Sequence, residues 1–156
     1  MAGIMFTDGK LVLCGYSQHK SQITGIGGKA HENEQLVETA IRETIEELFE
    51  FEVIPEALLR YLKTCLSFDH VIGIPAYTVF VMSFTDLQKI LDILKMFVLK
   101  SDVYSEIPTN LSEMIFNRKV NFSSELSHLI LLPCADKIKL ESNLLNDIYV
   151  FKNSII

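Results

Sequence analysis

Hydrophobic and polar positions along the chain alternate with two periods, and the switches between them mark out the elements. Ile4 and Phe6 lead into Asp8-Gly9, and Leu11, Leu13 and Cys14 follow. Two short apolar runs around an Asp-Gly pair predict a hairpin over Ala2–Tyr16. Residues 17–31 are polar and glycine-rich, a loop or a loop broken by short strands. From Asn33 or Glu34 the period changes. Leu36, Val37, Ala40, Ile41, Thr44, Ile45 and Leu48 recur at helical spacing, a stripe that needs a core to face. Pro55 opens a short second helix or turn over Glu56–Leu62. Tyr61–Ser67 and Ala76–Phe84 have strand composition. Asp86–Leu99 returns to the helical period through Leu87, Ile90, Leu91, Ile93, Leu94 and Phe97. Residues 101–124 are irregular, with one helical turn near Leu111–Phe116. Leu126–Leu132 reads as a buried strand ending at Pro133, Asp136–Leu145 as a last helix and Asp147–Phe151 as a last strand. There is no internal repeat. The mixture of strands and helices predicts an α/β (α+β) sandwich, a mixed sheet between helices.

Composition narrows the class. The chain has 156 residues, 49% apolar and 22% charged, as expected of one globular domain over residues 1–156. The net charge of −6 argues against a strongly basic nucleic-acid binder. An acidic protein can still handle phosphates through a divalent cation. No apolar run reaches the ~18 residues of a membrane span, and the first residues lack the features of a signal peptide. Cys14, Cys65 and Cys134 are an odd count without paired spacing, expected to be reduced thiols of a cytoplasmic protein.

The charge pattern points to chemistry. Between Ala30 and Leu59 stand nine Glu residues and one strong base, Arg42. Glu43, Glu46 and Glu47 lie at i, i+3 and i+4, so they share a helical face. Partly desolvated at ~6 Å, each like-charged pair would repel by about 3 kcal/mol at an effective dielectric near 20. A positive group should relieve that, and carboxylate oxygens suit Mg²⁺ or Mn²⁺. A solvated, mildly frustrated acidic face is the plainer reading. Ahead of the helix, Gly25, Gly27 and Gly28 allow a turn in which backbone carbonyls approach a metal or N–H groups approach a phosphate.

At these residues the chain resembles the Nudix (MutT-related) hydrolases, whose signature is G-x5-E-x7-R-E-U-x-E-E-x-G-U with U a bulky aliphatic. Gly28, Glu34, Arg42, Glu43, Glu46 and Glu47 fall in register, six of seven fixed positions. Chance would give this on the order of once in 10⁵ chains of this length, at average residue frequencies. Three positions depart. Phe49 and Glu50 replace the closing glycine and aliphatic, and Thr44 replaces a larger aliphatic. The glycine normally ends the helix in a left-handed conformation; without it, the helix is expected to run a further turn, with Phe49 or Phe51 packing on the sheet.

The resemblance implies an α/β/α sandwich and roles for each matched residue. Glu46 and Glu47 would bind Mg²⁺ or Mn²⁺, joined by the carbonyl near Gly27 or Gly28. Glu43 would be a ligand or the base that activates water. Arg42 would orient Glu43, and Glu34 would hold Arg42. Gly27, Gly28 and Lys29 would meet the substrate's phosphates. Family members often add an acid from a later loop; Glu125 is the first choice, by its place before the late strand, with Glu106 and Glu113 as rivals. His128 is expected on a strand face, and His31 and His70 in solvent.

The implied reaction is metal-dependent hydrolysis of a diphosphate linkage, water attacking one phosphorus. Gly25–Lys29 is similar to the glycine–aromatic–glycine–glycine–lysine loop of pyrophosphatases that clear oxidised purine nucleotides, with Ile26 in the aromatic's place. That favours a nucleoside di- or triphosphate derivative. The alternative is mRNA decapping, but Lys95, Lys100, Arg118, Lys119, Lys137 and Lys139 are scattered rather than gathered in the basic track that capped RNA would need. A catalytically silent binding module is a further alternative. Apolar residues on more than one face of 86–100 leave a homodimer contact or a cap open beside packing on the chain's own sheet.

Overall fold

The computed structural model describes residues 1–68, 70–74, 76–134, 144, 147, 148, 150 and 151. The fold is mixed α+β. Its elements are β1 (Ala2–Phe6), β2 (Leu11–Ser17), β3 (Gln22–Thr24), β4 (Ile26–Gly28), α1 (Leu36–Phe49), α2 (Glu56–Cys65), β5 (His70–Ile74), β6 (Tyr77–Met82), α3 (Phe84–Leu94), α4 (Leu111–Phe116) and β7 (His128–Pro133). A mixed sheet runs β4-β1-β6-β5, with β1 parallel to β6, and an antiparallel sheet runs β3-β2-β7.

The Asp8-Gly9 turn forms as its residues require. Gly9 has φ +85°, and the Asp8 carboxylate accepts from Lys10 N–H at 2.8 Å and Leu11 N–H at 2.7 Å. The expected hairpin does not follow from it. Beyond the single Thr7–Val12 bridge, the two strands part into different sheets. β1 is buried along its whole length, so it serves as an inner strand with a partner on each side.

Alternation along the strands divides the core in two. Ala2, Ile4 and Phe6 of β1 join Ile41, Ile45 and Leu48 of α1, Leu58 and Leu62 of α2, and Ile90, Leu91 and Leu94 of α3. Met5, Val12, Cys14, Val79, Val81 and Leu132 face the other way, against Leu144, Ile148 and Phe151. Those last residues, with Asp147 and Val150, are helical. The expected strand over Asp147–Phe151 is therefore corrected: a strand needs a sheet neighbour, whereas 144, 148 and 151 recur at helical spacing and cover this second core. The expected helix over Asp136–Leu145 lies outside the described residues, save Leu144.

Tyr61–Ser67 is also not a strand. α2 continues to Cys65, because Leu58 and Leu62, four apart, are both fully buried while Tyr61 points outward. α3 ends at Leu94 instead of Leu99 and turns Leu87, Ile90, Leu91 and Leu94 inward. Met96 and Val98, beyond its end, are exposed.

Candidate active site

α1 starts at Leu36, two residues after Glu34, and this offset shapes the site. Glu34 sits in the preceding turn, so its carboxylate reaches back over the helix instead of projecting from it. It accepts from His31 N–H at 2.9 Å, Thr39 Oγ1 at 2.8 Å and Arg42 Nε at 2.8 Å and Nη2 at 3.1 Å. The facing Arg42 guanidinium holds the Glu34 carboxyl down to about 2. Arg42 is buried, and its remaining N–H groups are all directed. Nη2 donates to the Lys29 carbonyl at 2.9 Å, and Nη1 to Glu43 Oε1 at 2.9 Å and Glu46 Oε2 at 2.8 Å. A single guanidinium thus fixes three carboxylates and the strand exit at Lys29.

The acidic face is only partly solvated. Glu47 is only 5% exposed, and its Oε2 accepts from Gly27 N–H at 2.8 Å. Burial pushes the Glu47 carboxyl well up, opposed by that hydrogen bond and by Lys20, and reinforced by the charges of Glu125 and Glu43. Glu43 is raised too, by burial first, with Arg42 opposing and Glu46 and Glu125 adding to it. Glu46 is more open, its side chain 42% exposed.

The glycines form a strand rather than a free loop. Gly27 and Gly28 belong to β4, opposite Gly3 and Ala2 of β1. Gly27 has φ +146°, and a Cβ there would stand 2.5 Å from Gly3 Cα. A Cβ on Gly28 would collide with the Glu43 carboxylate. Gly28 lets α1 lie close against β4, while Gly27 lets β4 lie close against β1 and the Tyr77 hydroxyl. Gly27 N–H was expected to meet a phosphate; instead it holds Glu47, because the strand brings it against the helix. Lys29 is exposed, and its main-chain carbonyl is what joins the site.

Among the late acids the structure separates the candidates. Glu125 is exposed, and it is near enough for its charge to act on Glu43, Glu47 and Glu50. Glu113 instead accepts from Thr109 N–H and Oγ1 at 2.7 Å, bracing the start of α4. Glu106 lines a separate groove with Lys100, Tyr104 and Lys119. His128 is on the exposed side of β7, 2.9 Å from Ser127 Oγ; His31 and His70 are exposed.

The helix exit differs from expectation. α1 extends by one residue, not one turn: Phe49 stays helical and Glu50 takes the left-handed conformation, φ 43°. Phe49 is fully buried and stacks on Phe51, centroids 5.5 Å apart and planes 5° from parallel. Thr44 is buried as well, its Oγ1 without a hydrogen-bond partner among the described residues. Sequence reasoning missed what closes this end. Arg118, read only as one of the scattered bases, is buried and donates to the Glu47 and Leu48 carbonyls at 3.0 and 2.5 Å. An isolated Arg in a polar stretch gives no signal of this. Lys20 is the other omission.

A divalent cation fits the chemistry of this donor set. Glu43, Glu46, Glu47 and Glu125 are hard oxygen donors. Arg42 and Lys20 do not balance Glu34, Glu43, Glu46, Glu47 and Glu125, and repulsion among these acids adds to burial in shifting Glu43 and Glu47 upward. With Glu46 turned to Arg42 and Glu47 to Gly27, no three such groups stand as a preassembled cluster among the described residues.

No family model matches the chain, and no curated protein does. Among solved structures, a hydrolase of the NUDIX family from Clostridium perfringens is similar, at 14% identity and a TM-score of 0.44, over 99% of this chain and 96% of that one. At that distance the likeness adds no weight to the geometry.

Proposed function

We propose that the chain is a metal-dependent Nudix-type pyrophosphohydrolase that cleaves the diphosphate linkage of a nucleoside di- or triphosphate derivative. One observation supports it above the rest. Glu43 and Glu47 are drawn into the protein at a cost in desolvation first and charge repulsion second, with Glu43 packed where any side chain larger than that of Gly28 would collide with it. A purely structural face would gain by replacing them with apolar residues.

Glu43, Glu46 and Glu47, with the carbonyl of Gly28, would hold Mg²⁺ or Mn²⁺. A cation bound there supplies charge neutralisation for the pyrophosphate and a lowered pKa for an attacking water. The chain's own residues do the rest. Arg42 holds Glu43 and Glu46 side by side through its Nη1, which keeps both carboxylates on one side of the site. Glu34 holds Arg42 in turn. Glu125 or Glu43 takes the proton of the water; burial shifts the Glu43 carboxyl upward, the direction that makes it a stronger base. The exposed Lys29 ammonium is available to a phosphate.

The deciding experiment is a Mg²⁺-dependent screen for phosphate and pyrophosphate release. It covers canonical and oxidised nucleoside triphosphates, ADP-ribose, dinucleoside polyphosphates and capped RNA. Glu46→Gln is the control, since this half-exposed side chain can lose its charge without opening the core. We expect release from a free nucleotide, reduced by at least ~100-fold in Glu46→Gln while the melting temperature holds. Release from capped RNA alone would replace the substrate with a cap. Near-wild-type turnover in Glu46→Gln would overturn the assignment.

A further inference from the structure

Arg118 follows α4 by two residues, with its side chain 1% exposed. Its Nη1 donates to the Leu48 carbonyl at 2.5 Å, and its Nη2 to the carbonyls of Glu47 at 3.0 Å and Leu126 at 2.9 Å. Nη2 also lies 3.3 Å from Glu50 Oε1, and the guanidinium stands over the Tyr104 ring, 5.7 Å from its centroid. Burying a guanidinium is costly, and ending a helix does not require it: a glycine alone does so. What Arg118 adds is the connection. Two of its carbonyls belong to the last turn of α1, one of them on Glu47 itself. The third belongs to Leu126, the residue after Glu125.

The residue before Glu125 is tied to the same place. Ser124 Oγ donates to Glu50 Oε2 at 2.8 Å, and Glu50 is the left-handed residue that closes α1. Glu125 therefore stands between two anchors, both fastened to the exit of the helix that carries Glu43, Glu46 and Glu47. Its neighbours are held while its own carboxylate stays exposed.

Resting on the metal-dependent reading above, we propose that Arg118 is a positioning residue: with Glu50 and Ser124 it forms a latch that sets Glu125 against Glu47 and so fixes the geometry of the divalent-cation site. The departures at 49 and 50 acquire a purpose here. Where a closing glycine would end the helix without a side chain, Glu50 supplies the carboxylate that both Ser124 and Arg118 use.

The test uses the full chain with Mn²⁺ alone, its affinity read by electron paramagnetic resonance without substrate. Arg118→Lys keeps the charge but loses the planar fork that reaches three carbonyls. It should weaken Mn²⁺ binding about tenfold, the range seen when a group that orients a ligand is lost. Ser124→Ala, a milder change that leaves the core intact, should weaken it in the same direction and carries the test if Arg118→Lys does not fold. Both effects should vanish in a Glu125→Gln background, within about twofold, because a latch acts through Glu125. Exchange of backbone amides over 121–127 should rise in both variants. An equal loss with and without Glu125 would assign Arg118 a purely structural role and overturn the latch, as would unchanged affinity. A wild-type chain that binds no Mn²⁺ would overturn the metal reading and the latch together.

Discussion

Arg42 and Glu34 show how much one pair of side chains can settle. Arg42 directs Nε, Nη1 and Nη2 to Glu34, Glu43, Glu46 and the Lys29 carbonyl, which leaves it no freedom to turn toward solvent. Glu34 in turn takes three donors besides the Nε–H, including Thr39 from the first turn of α1. Glu34→Gln should cost about 2 kcal/mol of stability at pH 7, as expected when a buried charged hydrogen bond is weakened. The sign of the pH dependence follows from the direction of its shift. The Glu34 carboxyl titrates at about 2 when folded, against an ordinary 4.5. Its stabilisation is complete above 4.5 and is lost as pH falls toward 2. Urea unfolding of both proteins across pH 3–7 should show the difference shrinking below 4.5. A difference that stays constant to pH 3 would mean that Glu34 acts through its shape and not its charge.

The elements show why some of the chain was legible and some was not. α1 and its acids were, because i, i+3, i+4 spacing fixes a face whatever the helix packs on. So were the Asp8-Gly9 turn and the helical turn at Leu111–Phe116, both set by local chemistry. The partners of β1 were not legible. A fully buried strand has no alternation to report which neighbours it takes, and the turn that joins β1 to β2 is compatible with strands that pair or part. Tyr61–Cys65 was misread because β-prone residues were weighed above the Leu58–Leu62 repeat. At the site, the matched signature located the acids but not Arg118, whose role depends on carbonyls up to 71 residues away. The exit of α1 tests this lesson. Phe49 stands where the signature has glycine, yet it is fully buried and stacked on Phe51, with Tyr104 at 6.1 Å. Phe49→Ala should therefore destabilise by about 3–5 kcal/mol, the usual cost of emptying a core aromatic site. A loss below about 1 kcal/mol in chemical denaturation would show that this corner is loosely packed.

Across the whole molecule the candidate site joins parts that otherwise belong to different layers. Glu43, Glu46 and Glu47 come from α1, Gly27 and Gly28 from the edge of the mixed sheet, and Glu125 from the segment entering β7 of the other sheet. A cation held by these groups would bridge the layers and stabilise the folded state, since the unfolded chain offers no such site. At tenfold its dissociation constant, Mg²⁺ should add about 1.4 kcal/mol, or roughly 4 °C in melting temperature for a chain of this size. Glu46→Gln should show a smaller shift. Protons compete for the same oxygens. Because Glu43 and Glu47 titrate above the ordinary carboxylate value, their buried charge, and their mutual repulsion after it, destabilises the metal-free fold at high pH and is relieved as pH falls through those raised values. The metal-free protein should gain from that relief just where the Mg²⁺ increment fades. Melting curves with Mg²⁺ and with EDTA should therefore converge as pH falls from neutral toward the ordinary carboxylate value. An increment that stays flat across that range would place the bound ion away from Glu43 and Glu47.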